Sequence, residues 1–323
     1  MSEALLAHAT RTISAGSSSF ATAARLFPAG VRRSVLMLYA WCRHCDDVVD
    51  GQVLGFGATH QQHQQAAWNL ITLMEQTRRA YAGEAATDPA FAAFQEVALR
   101  HQIPPQYAFD HLAGFAMDVQ DTHYETIDDT MQYCYRVAGV VGPMMARIMG
   151  VTAPAALDRA CDLGLAFQLT NIARDLVEDA AVARCYLPKR WLQEAGLSAS
   201  DLHLPRHRAA LATLAARLVA QAEPYYASAR AGLTALPLRS AWAIATAHGV
   251  YRRIGIEVRA RGARAWDERV STSGTRKLWL LAMGAASALI SRYRSVPVRP
   301  AGLWQRPVPD PAELRHATDA GAA

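Results

Sequence analysis

Lysine is almost missing from this chain: Lys189 and Lys277 are the only two among 33 basic residues in 323, and arginine supplies the rest. Against 28 acidic residues the formal net charge is +5. The arginines are spread out, and no helix-turn-helix, zinc-finger or RNP pattern gathers them, which argues against nucleic acid as a partner. A composition bias explains most of the arginine excess. What a guanidinium adds chemically is a planar fork that matches phosphate oxygens. Cysteine is scarce as well. Cys42, Cys45, Cys134, Cys161 and Cys185 make no disulfide framework and suit a reducing cytosol. Cys42-x-x-Cys45 with His44 has neither a second Cys pair nor a His pair at ligand spacing, so it reads as packed thiols rather than zinc.

Other absences narrow the field further. Met1–Ser14 carries Glu3 and no long apolar run, so no signal peptide opens the sequence. The longest apolar stretch, Leu278–Ile290, falls short of the roughly 20 residues of a membrane span. The expectation is a soluble, cytoplasmic protein, at most peripheral to a membrane. No Asn-Gly or Asp-Gly hairpin lies between alternating strands. Neither a Walker A loop nor Gly-x-Gly-x-x-Gly occurs, so neither a P-loop ATP site nor a Rossmann nicotinamide site is indicated. Asp46–Asp50 fails the EF-hand spacing, and Glu-x-x-His pairs of a diiron bundle are absent beside the acidic stripes described below.

Helical periodicity fills the remainder, with 51% hydrophobic residues available for a core. Apolar residues recur at three and four over Val31–Asp50, His60–Gly83, Asp88–Gln102, Pro105–Gln120, Asp128–Gly150, Ala155–Ala181, Pro188–Ala195, Arg206–Leu233, Leu238–Gly262 and Thr275–Tyr293. Asp88 before Pro89 reads as an N-cap, and Pro104-Pro105 as a break. Five prolines crowd the sequence after Ser295. The expected organisation is one all-α domain over residues 1–294 and a flexible tail over 295–323.

Two segments carry chemistry. Tyr39, Arg43, Asp46 and Asp50 step by 4, 3 and 4, which places them in one stripe on a helix. Gln168, Asn171, Asp175 and Asp179 step by 3, 4 and 4 in an otherwise apolar helix. Each stripe ends in an Asp pair at i, i+4, about 5–6 Å apart at Cβ. For one pair alone a solvated face is the simpler explanation. The apolar text around both, and the hydrogen-bonding residues within them, point instead to an interior site. Four carboxylates facing one another would repel unless cations lay between them. Mg²⁺ takes one or two carboxylates and completes its shell with water and phosphate oxygens. Metal-assisted departure of a diphosphate is the chemistry such an arrangement serves. On that reading Asp→Asn in the metal-free protein is neutral or mildly stabilising, because it relieves repulsion.

The boxes Asp46-Asp-Val-Val-Asp50 and Asn171-Ile-Ala-Arg-Asp-Leu-Val-Glu-Asp179 resemble the two aspartate-rich motifs of the trans-isoprenoid synthases, and more narrowly of the squalene/phytoene synthase family. Ser17-Ser-Ser-Phe20, Tyr133-Cys-Tyr-Arg-Val-Ala-Gly-Val-Val-Gly142 and Arg184-Cys-Tyr-Leu-Pro188 match further motifs in the right order, from about Ser14 to Arg294. The wording around Leu38-Tyr-Ala-Trp-Cys-Arg-His-Cys-Asp46 is most similar to the bacterial phytoene synthases. Arg136 and Ala183 depart from the pattern, the second standing where the family carries Gly.

The resemblance implies the isoprenoid-synthase helical bundle with one central cavity. It implies head-to-head condensation of two geranylgeranyl diphosphates, through prephytoene diphosphate, to phytoene in carotenoid biosynthesis. The alternatives are a squalene or dehydrosqualene synthase using farnesyl diphosphate, and a non-catalytic assembly factor on the same fold. By the same resemblance Asp46, Asp50, Asp175 and Asp179 hold Mg²⁺ or Mn²⁺, and Arg43, Arg174 and Arg269 grip diphosphate. Gln168 and Asn171 orient ligands and waters, while Tyr39, Tyr133, Tyr186 and Tyr251 steady diphosphate or carbocation. Ser19 and Phe20 contact diphosphate and prenyl chain, and Val137, Ala138 and Gly142 keep the cavity wall smooth and dry. No NADPH is needed, an ATP requirement is open, and contacts extend to other carotenoid-pathway enzymes and the inner face of the plasma membrane.

Overall fold

Twelve α-helices and no strand occur among the described residues, which are 2–16, 23–50, 63–271 and 273–309 of this computed structural model. In chain order the helices are α1 (Ser2–Gly16), α2 (Ala29–Asp50), α3 (His63–Tyr81), α4 (Pro89–Arg100), α5 (Pro105–Val119) and α6 (Ile127–Cys134). There follow α7 (Val141–Ile148), α8 (Pro154–Ala181), α9 (Lys189–Glu194), α10 (Arg208–Ala231), α11 (Leu238–Arg261) and α12 (Gly274–Ser291). Their boundaries follow local chemistry. The Asp88 carboxylate accepts from the amides of Ala90 and Phe91 ahead of α4, with Pro89 in the first turn. Pro104 and Pro105 separate α4 from α5.

The 28-residue α8 is the spine, and α7, α10 and α11 pack along it. Leu165, Ala166, Leu169, Ile172, Ala173 and Leu176 are buried within it, so most of its circumference faces protein. On the other side α2, α4 and α5 enclose Trp41, which stacks on Phe94 at 4.0 Å and meets His111 at 5.5 Å. Burial holds the His111 imidazole down at about 4, and it bonds the Arg136 carbonyl at 3.1 Å. It is a buried core residue, bonded through Nδ1 alone, with Nε2 lacking a partner among the described residues. One contiguous hydrophobic cluster joins both sides.

Two elements differ from the sequence reading. Helix α1 was not anticipated. Its apolar residues include Ala9 and Ile13, which are buried, and it lies along α2 and α4. The single helix expected over Asp128–Gly150 is interrupted by a π-helical turn at Tyr135–Gly139, where the Val140 amide reaches back to the Tyr135 carbonyl at 2.7 Å. Packing against α8 explains the interruption. A Cβ on Gly142 would strike the Ala160 carbonyl, and one on Gly164 would strike the Ala138 carbonyl. The extra residue of the turn sets both glycines at the crossing, and Pro143 removes an amide from the ladder just beyond it.

The tail expected to be flexible is, over residues 295–309, irregular but pinned. Asp162 on α8 is fully buried and receives the Arg299 guanidinium through two bonds, at 2.9 and 2.7 Å, and the Ser228 hydroxyl at 2.5 Å. Arg159, also on α8, donates to the carbonyls of Ser228 and Pro297. Arg306 pairs with Asp158 at 2.7 Å and donates to the Tyr107 hydroxyl at 3.2 Å. Proline richness made this segment look loose, whereas its arginines answer charges already buried on α8.

Breaking a buried pair leaves an uncompensated charge, which costs about 3–5 kcal/mol. Arg299→Ala is therefore expected to lower unfolding free energy by about 3 kcal/mol in urea titration. Asp162→Leu added to it recovers part of the loss, and Arg294→Ala, an exposed neighbour, stays within about 0.5 kcal/mol. An unchanged midpoint for Arg299→Ala would contradict the pinned tail.

Candidate functional site

Helix α2 ends in its acidic stripe. Arg43 lies between two carboxylates, 2.8 Å from Asp46 Oδ2 and 2.8 Å from Asp47 Oδ1. Asp47 was not singled out in the sequence, yet it takes half of this guanidinium. Asp50 is the last residue of α2, and its side chain lies outside the described residues, as do Ser19 and Phe20. Burial above all pushes the Tyr39 phenol up to about 12, against the pull of Arg43 and with a further push from Tyr251. Cys42 is likewise raised to about 12 by burial and then by Asp46, so it is an inert packed thiol.

On α8, Asp175 is gripped from two sides. Arg174 donates Nε to Oδ1 at 2.7 Å and Nη2 to Oδ2 at 2.5 Å. Arg269 reaches Oδ2 at 3.3 Å and Glu178 at 3.3 Å. One turn on, burial and then the charge of Asp175 raise the Asp179 carboxyl to about 7, with Arg184 and Arg174 opposing. One turn before, the Asn171 amide donates to Gln168 Oε1 at 3.4 Å, while its own Oδ1 is buried with no partner among the described residues.

Tyr251 on α11 links the two stripes. It stacks on Phe167 of α8 at 4.1 Å and is close enough to act on both Tyr39 and Arg174.

Tyr133 and Tyr186 come together around a residue that the sequence reading does not name. The rings stack at 4.5 Å, and both hydroxyls donate to Asp118, at 3.3 and 3.1 Å. Asp110, eight residues earlier on α5, accepts the Tyr135 hydroxyl at 2.6 Å. The available signal was the i, i+4, i+8 row Asp110, Gly114, Asp118 on an apolar helix. Tyr186 also feels Asp179 and Arg184, so this cluster borders the α8 carboxylates.

Below the carboxylates, the same face of α8 turns apolar. Leu163, Gly164 and Phe167 line a cavity of about 130 Å³ together with Ala138 and Gly142. Val137 leans on Gly114 of α5 instead and is not among the lining residues.

These residues fit a divalent cation. The donor set is all oxygen, with one buried amide oxygen unpartnered among the described residues and one carboxyl raised to about 7 by burial and then by a like charge. Among the described residues no three His, Cys, Asp or Glu converge tightly enough to enclose a metal alone. The match is to an ion that shares its shell with water and phosphate, rather than to a closed structural metal site.

Comparison with known proteins agrees with this geometry. The model of the squalene/phytoene synthase family matches residues 13–276, and the chain belongs to that family. It is 61% identical over 304 residues to the 15-cis-phytoene synthase of Pantoea ananas, covering 94% of this chain and 98% of that protein. It is 58% identical over 304 residues to the phytoene synthase of Pseudescherichia vulneris, with the same coverage. A crystal structure of a dehydrosqualene synthase in complex with ligand superposes with a TM-score of 0.80 at 29% identity, over 90% of this chain and 98% of that one.

The departure at Ala183 has a structural meaning. Its φ is 61°, the left-handed region, where it caps α8: the Arg184 amide returns to the Asp179 carbonyl at 2.9 Å and the Ala183 amide to that of Ala180 at 3.1 Å. Glycine takes this conformation without strain. Ala183→Gly is expected to stabilise the protein by about 0.5–1 kcal/mol, the relieved strain exceeding the entropy lost from the unfolded chain. A urea midpoint that rises at unchanged slope checks it.

Proposed function

We propose that the chain condenses two molecules of geranylgeranyl diphosphate head to head, through prephytoene diphosphate, into phytoene. The observation that carries this reading is the near full-length identity to a 15-cis-phytoene synthase. The carboxylate stripes set above an apolar cavity supply the means. A squalene- or dehydrosqualene-forming enzyme is the second reading, favoured by the likeness to the dehydrosqualene synthase fold.

Asp46, Asp50, Asp175 and Asp179 would hold Mg²⁺ or Mn²⁺, which when bound supplies Lewis acidity to the departing diphosphate. The chain's own residues do the rest. Arg43, Arg174 and Arg269 now lie on carboxylates, and phosphate oxygens present the same paired acceptors to a guanidinium. Asn171, whose buried Oδ1 has no partner among the described residues, and Gln168, bonded to it, would orient a ligand or water. Tyr39 stays a neutral hydrogen-bond donor because burial raises its pKa, and Tyr251 beside it offers an aromatic face to a developing cation. Tyr133 and Tyr186, fixed by Asp118, wall the same end. Ala138, Gly142 and Phe167 line the space for prenyl carbon and exclude water from a carbocation. Ser19 and Phe20 keep the contacts proposed for them. The chain works as a peripheral membrane protein, since substrate and product are lipids; no helix among the described residues is long and apolar enough to cross a membrane.

Asp46→Asn and Asp175→Asn test the metal role. The relief of repulsion expected from sequence does not apply as such, because both carboxylates are paired with arginine. Asp46→Asn, at the more exposed pair, is expected to shift metal-free stability by no more than about 1 kcal/mol, and Asp175→Asn, at the more buried pair, to lower it by about 1–3 kcal/mol. Each is nevertheless expected to cut turnover with saturating Mg²⁺ by about 10³-fold or more. Near-normal turnover in both would overturn the metal assignment.

Incubation of the purified protein with geranylgeranyl diphosphate and Mg²⁺ is expected to yield phytoene without NADPH. Product that forms only from farnesyl diphosphate, or only when NADPH is added, would favour the second reading.

A further inference from the structure

The outward face of α12 departs from what a surface helix normally shows. Its inner face, Leu280, Gly284, Ala288 and Ser291, is buried. Gly284 allows an approach to α11 at which any side chain would strike Thr246, and the Trp242 indole donates to the Leu281 carbonyl at 2.8 Å. The opposite face should then be charged. It carries Leu278, Trp279, Met283, Leu289 and Ile290, each 45–71% exposed. No Asp or Glu occurs anywhere from Arg269 to Pro309.

Beside this face a groove of about 350 Å³ runs between α11 and α12. Arg230, Arg252, Arg253 and Arg276 line it over apolar groups that include Ile256 and Met283. Arg252 is matched by Glu223 at 2.9 Å and Arg253 by Glu257 at 3.1 Å. Arg230 and Arg276 have no ion-pair partner among the described residues. Arg252, Arg253 and Ile256 lie roughly 100–200° around α11 from Tyr251, so the groove is separate from the carboxylate site.

We propose that this surface docks the protein on an anionic bilayer. The apolar residues of α12 enter the boundary between headgroups and acyl chains, and the groove takes the phosphate of an anionic phospholipid between Arg230 and Arg276. Charge selects lipid over a second copy of the chain. A two-fold interface through this face would bring arginines against arginines with no acidic residue of α12 to answer them. An anionic bilayer offers both an apolar interior and the missing negative charge. The inference rests on the peripheral association proposed above and adds to it the surface and a headgroup site.

The test is flotation of the full chain with phosphatidylcholine vesicles, with and without phosphatidylglycerol. Leu278→Ser/Trp279→Ser/Met283→Ser changes only exposed positions and is expected to weaken binding to both by more than tenfold. Arg230→Gln/Arg276→Gln is expected to reduce the preference for phosphatidylglycerol by about fivefold per charge. Lys189→Gln, on α9, is expected to leave that preference unchanged. Lipids brominated in the acyl chain are expected to quench indole fluorescence in the parent, and Trp279→Phe to remove most of that quenching while still floating. If the triple variant floats like the parent, this surface is wrong while peripheral association stands. If the parent floats with no vesicle, both fall. If the triple variant converts a dimeric parent to monomer at unchanged vesicle binding, a second copy covers the face and the lipid proposal is overturned.

Discussion

Negative charge inside an apolar bundle is the constraint on which this structure turns. A carboxylate shut away from water must be met by a cation or by several hydrogen-bond donors. Helix α8 carries Asp158, Asp162, Asp175 and Asp179 through the densest part of the protein. Each is answered differently. Asp158 and Asp162 take arginines from the tail, Asp175 takes Arg174 and Arg269, and Asp179 is left partly unanswered. The arrangement is graded along one helix: permanent cations at the N-terminal end, and exchangeable ones toward the C-terminal end.

That grading explains the parts around it. The tail is a distant segment whose arginines complete the charges of α8, so it belongs to the core despite its prolines. The π-helical turn brings Ala138 and Gly142 against the middle of α8, where Gly142 and Gly164 permit backbone contact. It thereby shapes an apolar cavity on the same face of α8 that bears Asn171 and Asp175 one and two turns further on. Polar chemistry at one end and hydrocarbon space at the other follow from a single helix face changing character along its length.

Much of this was legible in the sequence because helix periodicity and carboxylate spacing are local signals. The 3.6-residue repeat located every long helix after α1, and the i, i+4 steps placed Asp175 and Asp179 on one face. What escaped was non-local. Nothing near Asp118 shows that Tyr133 and Tyr186 will converge on it, since those residues come from two other parts of the chain. Asp47 was passed over because its neighbours Asp46 and Asp50 fit the stripe, whereas Arg43 is long enough to reach off it. The break at Tyr135–Gly139 was hidden because its cause is the backbone of α8, not the turn's own composition. Residues 295–309 look loose locally because of their prolines, while the charges that fix Arg299 and Arg306 lie more than a hundred residues upstream.

The arginines around Asp46 and Asp175 hold a position that resolves an apparent conflict. Asp46 and Asp175 are compensated without any metal, which by itself would describe a structural ion-pair network. Two features separate the site from the permanent pairs on Asp158 and Asp162. Arg269 is well exposed and Arg174 pairs with its immediate chain neighbour, whereas Arg299 and Arg306 are largely buried where they tie the tail to α8. And the compensation is incomplete, since Asp179 remains raised by burial and by Asp175, and Asn171 Oδ1 has no donor among the described residues. A network selected for stability alone gains from satisfying its last acceptors. One that must accept cations and phosphate together has to leave acceptors free and keep its guanidiniums able to change partners.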